Sequence, residues 1–197
     1  MIREFHLADW FTLGNACAGV GALFAMMAYV QGGERHYVYS AAALVVAALV
    51  LDVLDGRIAR WRRTSSAMGR ELDSLADVIS FGVAPAAIGY GCGMQGALDQ
   101  VILAGFVGCG VSRLARYNVT AESMSAATGK VSHFEGTPIP ASLALVLVLT
   151  LAAWRGAVGS ALWMGSVEVG PFTLHPLVLM FAVSGSLMIS RLRIPKL

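Results

Sequence analysis

The sequence predicts an all-α, polytopic membrane protein with six transmembrane helices, organised as a single domain over residues 1–197. Three observations predict it. The 197 residues are 57% hydrophobic and only 13% charged, with a mean hydropathy of +0.69, whereas soluble domains carry about 25% charged residues. Six apolar stretches each approach the ~20 residues that a helix needs to cross ~30 Å of hydrocarbon. The basic residues, finally, collect in alternate connections, as the positive-inside rule requires.

The spans are read near 10–31, 36–56, 74–94, 97–117, 137–155 and 171–190, separated by QGGER, WRRTSSAMGRE, GMQG, ESMSAATGKVSHFEG and RGAVGSALWMGSVEVGPF. Residues 1–9, MIREFHLAD, are either a short interfacial helix or a frayed terminus. The first span has only Arg3 upstream and no convincing small-residue cleavage site, so it is expected to be a retained helix rather than a leader. With the N-terminus cytoplasmic, every one of the 14 lysines and arginines except Arg35 and Arg155 falls on the inner side. The expected location is therefore the cell membrane, multi-pass, with both termini cytoplasmic.

Other residue classes exclude functions. Cys17, Cys92 and Cys109 have neither CxxC nor Cys/His spacing and are read as small packing residues, not disulfides or zinc ligands. A net charge of +2 gives no argument for a nucleic-acid partner. His6, His36 and His175 are scattered and are not expected to be ligands, and Trp10, Trp61, Trp154 and Trp163 near span ends fit an interfacial aromatic belt.

The chemistry concentrates between positions 52 and 77, DVLDGRIARWRRTSSAMGRELDSLAD. Asp52 and Asp55 stand three apart and Asp73 and Asp77 four apart, so on two facing helices each pair projects from one face. Four carboxylates could then gather around metal ions. An ionised carboxylate unpaired in hydrocarbon costs several kcal/mol, which makes an intramembrane acid a functional-site hypothesis. One aspartate alone could cap a helix or snorkel, but four at this spacing need a common purpose. The segment carries Arg57, Arg60, Arg62, Arg63 and Arg70, so it is nearly neutral before metal arrives; Arg57, Arg62, Arg63 and Arg70 are read as a rim contacting anionic headgroups.

Written as a pattern, the segment is Asp52-x2-Asp55-Gly56-x2-Ala59-Arg60-x8-Gly69-x3-Asp73-x3-Asp77. It resembles the CDP-alcohol phosphotransferases, integral membrane enzymes that move a substituted phosphate from a CDP-linked donor to an alcohol. The resemblance implies that Asp52, Asp55 and Asp73 are metal ligands and that Asp77 is both a ligand and the general base. The cofactor it implies is Mg²⁺ or Mn²⁺, two ions, because hard carboxylate oxygens suit both and a metal pair can clamp the entering and leaving oxygens of an in-line displacement. It places Gly56, Arg60, Ser66 and Asn15 against the CDP part of the donor, with Gly56 letting the nucleotide approach and Arg60 meeting phosphate. Gly69 and Ala59 read as small residues for close helix packing. A homodimer is expected from the family.

Outside the motif, SRLARYNVT places Arg113, Arg116 and Asn118 at the membrane face, and HFEGTPIPAS precedes the fifth span. Both stretches are similar to those of integral-membrane phosphatidylserine synthases. The implied substrates are CDP-diacylglycerol and L-serine, with Arg113 and Arg116 toward the serine or lipid phosphate and His133 and Glu135 either nearby or solvated. Pro138 and Pro140 fix the backbone at a helix start. The alternatives are the same chemistry with glycerol phosphate, inositol phosphate or another alcohol, and a divalent-cation transporter, which would account for the acids alone.

Overall fold

The structure, a computed structural model, describes residues 7–62, 67–127, 133–190 and 193–195. Its elements in chain order are α1 (Leu7–Gly32), α2 (His36–Arg62), α3 (Ala67–Asp77), a π-helical turn (Val78–Val83), α4 (Ala84–Gly91) and α5 (Ala97–Ala127). There follow β1 (His133–Glu135), a 3₁₀ turn (Ile139–Ser142), α6 (Leu143–Trp154), β2 (Val167–Val169), β3 (Phe172–Leu174), a second 3₁₀ turn (Pro176–Val178), α7 (Leu179–Ile189) and β4 (Arg193–Pro195).

The fold is mostly helical, but the start of the expected sixth span and the purely helical class need correction. Among the described residues, four helical stretches are long and apolar enough to cross a membrane: Ala8–Gly32, His36–Ile58, Met68–Gly91 and Ala97–Val119. The expected fifth and sixth spans are the shorter apolar helices Ile139–Trp154 and Pro176–Ile189. The expected start of the sixth at 171 fails because Phe172–Leu174 pairs as a strand with Val167–Val169. The chain is also not purely helical, since β1 pairs antiparallel with β4 as well. Two connections are shorter than expected, because α2 runs to Arg62 and α5 to Ala127. Residues 1–6 of the expected interfacial helix lie outside the described residues, and Leu7–Asp9 form the first turn of α1.

Small residues let these helices approach closely, which matters where lipid removes most of the hydrophobic drive for helix association. A Cβ on Gly19 of α1 would stand 2.9 Å from Ser80 Cα in the π-turn, and Gly89 of α4 leaves 3.1 Å to the Phe181 ring of α7. Phe181 in turn meets Phe106 of α5 edge-on, with ring centroids 5.2 Å apart. Cys109 packs against Gly185 and Cys92 is buried, as expected of packing residues, whereas Cys17 is exposed. Trp10, Trp61 and Trp154 are exposed near helix ends.

The connections gather at two ends. At one, the Gly159 amide donates to the Cys92 carbonyl at 2.7 Å, the Arg35 guanidinium lies beside Gly156, and His175 bonds Asp99. At the other, β1 and β4 pair, and the Thr137 amide donates to the Leu187 carbonyl at 3.2 Å. The segments following α1, α4 and α6 thus share one end, and those preceding α6 and following α7 share the other.

Candidate active site and metal centre

Asp52 and Asp55 belong to α2, and Asp73 and Asp77 to α3. Each pair occupies one turn, so the local spacing already aims its members together. The α2–α3 hairpin then brings carboxylate oxygens of Asp52, Asp55 and Asp73 within 4.8 Å of one another. Asp77 stands beside this trio, within reach of the charges of Asp52, Asp73 and Asp55, and it is buried. The Asn15 amide donates to Asp77 Oδ1 at 3.4 Å.

Helix α1 supplies the wall behind these carboxylates. The Thr12 hydroxyl donates to Asp55 Oδ2 at 2.7 Å. Ser80 Oγ donates to the Asn15 carbonyl at 2.9 Å, which ties α1 to the π-turn directly after Asp77. That turn is closed by an Ala84 amide reaching the Ile79 carbonyl, five residues back. Turns of this kind recur at functional sites because they re-aim a helix face without breaking the helix. Asn15 is fully buried, and its Oδ1 has no partner among the described residues.

The donor set answers whether a divalent ion fits. Three carboxylates converge with a fourth alongside, and Asp73 Oδ1 is a buried oxygen with no hydrogen bond among the described residues. Crowded, unpaired carboxylate oxygens are the ligand type that Mg²⁺ or Mn²⁺ takes, and positive charge among them removes their mutual repulsion. The residues present therefore fit such an ion.

Helix α5 forms the opposite wall, and it separates the two arginines. Arg113 lies within electrostatic range of Asp77, and its half-buried side chain leaves Nε without a partner among the described residues. Arg116 turns the other way and donates to the Ile189 carbonyl at the end of α7 at 3.3 Å. A cation there completes a helix C-terminus. Asn118 donates to Ser74 Oγ at 3.0 Å and to Glu71 Oε1 at 3.3 Å, fastening α5 to α3 at the residues flanking Asp73. Gly136 explains its place in the loop motif: its φ of +75° and its close approach to the Met188 carbonyl leave no room for a side chain.

Gly56 sits half-buried in α2 beside Asp55. Ser66 lies outside the described residues, as do the side chains of Arg60, His133 and Glu135, although Arg60 is on the last turns of α2. Sequence reasoning singled out neither Thr12 nor the Glu71–Ser74–Asn118 link. A polar residue recurring every third position of α1, Asp9, Thr12 and Asn15, was the available signal.

The profile of the CDP-alcohol phosphatidyltransferase family matches residues 5–184. The chain is 42% identical over 200 residues to the CDP-diacylglycerol–serine O-phosphatidyltransferase of Saccharomyces cerevisiae, an alignment covering 100% of this chain and 72% of that protein. It is 43% identical over 129 residues to the protein of that name from Helicobacter pylori strain 26695, covering 64% of this chain and about half, 52%, of the relative. With the one from Bacillus subtilis it shares 28% identity over 194 residues, covering 96% of this chain and 90% of the relative.

Proposed function

This chain belongs to the CDP-alcohol phosphatidyltransferase family, and from that premise we propose that it is a phosphatidylserine synthase. It moves the phosphatidyl group of CDP-diacylglycerol to the hydroxyl of L-serine and releases CMP. The observation that carries this reading is the convergence of the Asp52, Asp55 and Asp73 carboxylates, with Asp77 and the half-buried Arg113 beside them, near enough to feel each other's charge. A proton acceptor and a cation then flank the same space, and an amino-acid alcohol needs both. Family membership leaves the cation-transporter alternative without support.

Asp77 is the general base, held by the Asn15 amide. As the serine Oγ lone pair forms a bond to the lipid-proximal phosphorus, the phosphoanhydride bond breaks and its electron pair leaves on CMP. The hydroxyl proton passes to the Asp77 carboxylate, a transfer worth typically 10²–10⁴-fold in rate. Arg113 orients the acceptor by donating to the serine carboxylate through the guanidinium whose Nε is unpartnered. Arg116, bonded to Ile189, holds α7 in place instead. Asn15, Gly56, Arg60 and Ser66 contact the CDP part of the donor. Asp52, Asp55, Asp73 and Asp77 would hold Mg²⁺ or Mn²⁺, and a pair of such ions would supply positive charge against the pyrophosphate and the departing CMP. No covalent nucleophile is involved, so the displacement is single.

The six apolar helical units cross the membrane as one domain, with both termini and the carboxylates cytoplasmic. The grouping of the described connections at two ends supports six crossings, since α5, α6 and α7 then each join opposite ends. The protein is a homodimer in the membrane.

The test is CMP release from CDP-diacylglycerol by purified protein with Mg²⁺ or Mn²⁺, supplying L-serine, glycerol 3-phosphate, inositol 1-phosphate and inositol separately. Serine-dependent release is the expected result. Release with another alcohol alone would keep the carboxylate chemistry and remove the serine assignment.

A further inference from the structure

The segment joining α6 to α7 holds a hairpin at the end of the molecule away from the catalytic carboxylates. Its register pairs Val167 with Leu174, Glu168 with Thr173, and Val169 with Phe172. Cross-strand partners share a face, so one face carries Val167, Val169, Phe172 and Leu174, and the other carries Glu168 and Thr173. Gly170, at φ +62°, makes the tight turn. Leu174 packs on the core, while Val167, Val169 and Phe172 are 50%, 46% and 47% exposed.

The root of this ribbon is pinned. Asp99, fully buried, accepts from the His175 backbone amide and from the Gly96 amide, each at 2.9 Å, and its carboxylate meets His175 Nδ1 at 2.6 Å. Gly96 also abuts the Thr173 carbonyl. The ribbon consequently projects in one orientation.

Two observations identify what meets its apolar face. The helices on either side, Ile139–Trp154 and Pro176–Ile189, contain 16 and 14 residues, about 24 and 21 Å at 1.5 Å per residue, against ~30 Å of hydrocarbon. The connecting segment must therefore enter the membrane boundary. The exposed residues Leu147, Leu151 and Trp154 on α6 and Leu179 and Val183 on α7 carry the apolar outer surface of both helices up to the connection that holds the ribbon. Unpaired strand edges are not tolerated in hydrocarbon, which puts the ribbon at the headgroup level, its apolar face ~5–10 Å deep.

We propose that the Val167–Val169/Phe172–Leu174 hairpin is an interfacial lipid anchor, seating its Val167, Val169 and Phe172 face in the leaflet opposite the active site. The proposal rests on the six-crossing reading and not on the choice of acceptor. It is tested with Leu147→Cys, Glu168→Cys and Val169→Cys placed singly in a Cys17→Ala, Cys109→Ala background. Each is spin-labelled and reconstituted in phosphatidylcholine–phosphatidylglycerol vesicles. Relaxation by oxygen, which partitions into lipid, is compared with relaxation by an aqueous nickel chelate. The expected oxygen-to-nickel ratio is several-fold higher at 169 than at 168, approaching that at 147. Equal, water-like ratios at 168 and 169 with a lipid-like 147 would overturn the anchor alone. A water-like 147 would overturn the six-crossing reading and the anchor with it. Label–label broadening at 169 with both reagents excluded would make the face a contact between copies and overturn the lipid assignment.

Discussion

Asp99 and Asp77 are both buried aspartates near the two ends of the same helical bundle, yet their surroundings differ in kind. Asp99 is surrounded by donors: two backbone amides and a histidine ring converge on its two oxygens. Asp77 has one long bond from Asn15 and three neighbouring carboxylates, one of which leaves an oxygen unpartnered. A satisfied buried acid fixes structure, whereas a crowd of under-satisfied acids calls for something from outside the chain. The comparison teaches that burial of an acid alone does not mark a catalytic site; the balance of its donors does.

The largest effect that would sharpen this contrast comes from Asp77→Asn. Turnover should fall by about 10²–10⁴-fold, the contribution of a general base, while CDP binding measured by titration calorimetry stays near wild type. Substantial residual turnover would remove the base assignment. Arg113→Ala should raise KM for serine by roughly 10–100-fold, the worth of a charged hydrogen bond, with the KM for CDP-diacylglycerol little changed. Arg116→Ala should instead lower thermal stability and spare the serine KM, because its partner is the Ile189 carbonyl. Thr12→Val should weaken Mn²⁺ binding, followed by electron paramagnetic resonance, by about tenfold, since outer partners of metal-binding carboxylates contribute 10–100-fold. Thr12→Ser should restore it. At the small end for catalysis, Asp99→Ala should leave kcat/KM unchanged in the folded fraction while the melting temperature drops by several degrees, because buried donors lose their acceptor at ~1–3 kcal/mol each. A kinetic defect there without a stability loss would break the comparison.

These differences also explain what the sequence discloses. The clustered aspartates are legible because each pair lies within one helical turn and the α2–α3 hairpin is local. The four long helices are legible because apolar length is itself the signal. Asp99 and His175 stand 76 residues apart, and Thr12 and Asp55 stand 43 apart, so their contacts arise only when the bundle assembles. Arg113 and Arg116 read alike in RLAR and stand on neighbouring positions of one helix, yet only Arg113 lies within electrostatic range of Asp77 while Arg116 bonds the Ile189 carbonyl, a division that tertiary partners and not spacing decide. The ribbon at 167–174 is hidden for a different reason. Phe172 and Leu174 extend the apolar run of the last helix, so apolar length alone places them in a span starting at 171, whereas they pair as a strand with Val167–Val169 of the preceding connection.

The most direct test of the contrast is a crystal structure soaked with Mn²⁺ and CDP, analysed by anomalous scattering. The account predicts anomalous density among the oxygens of Asp52, Asp55 and Asp73, adjoining Asp77, and none at Asp99. Density at Asp99, or Mn²⁺ bound elsewhere with the Asp52–Asp55–Asp73 group bare, would contradict it.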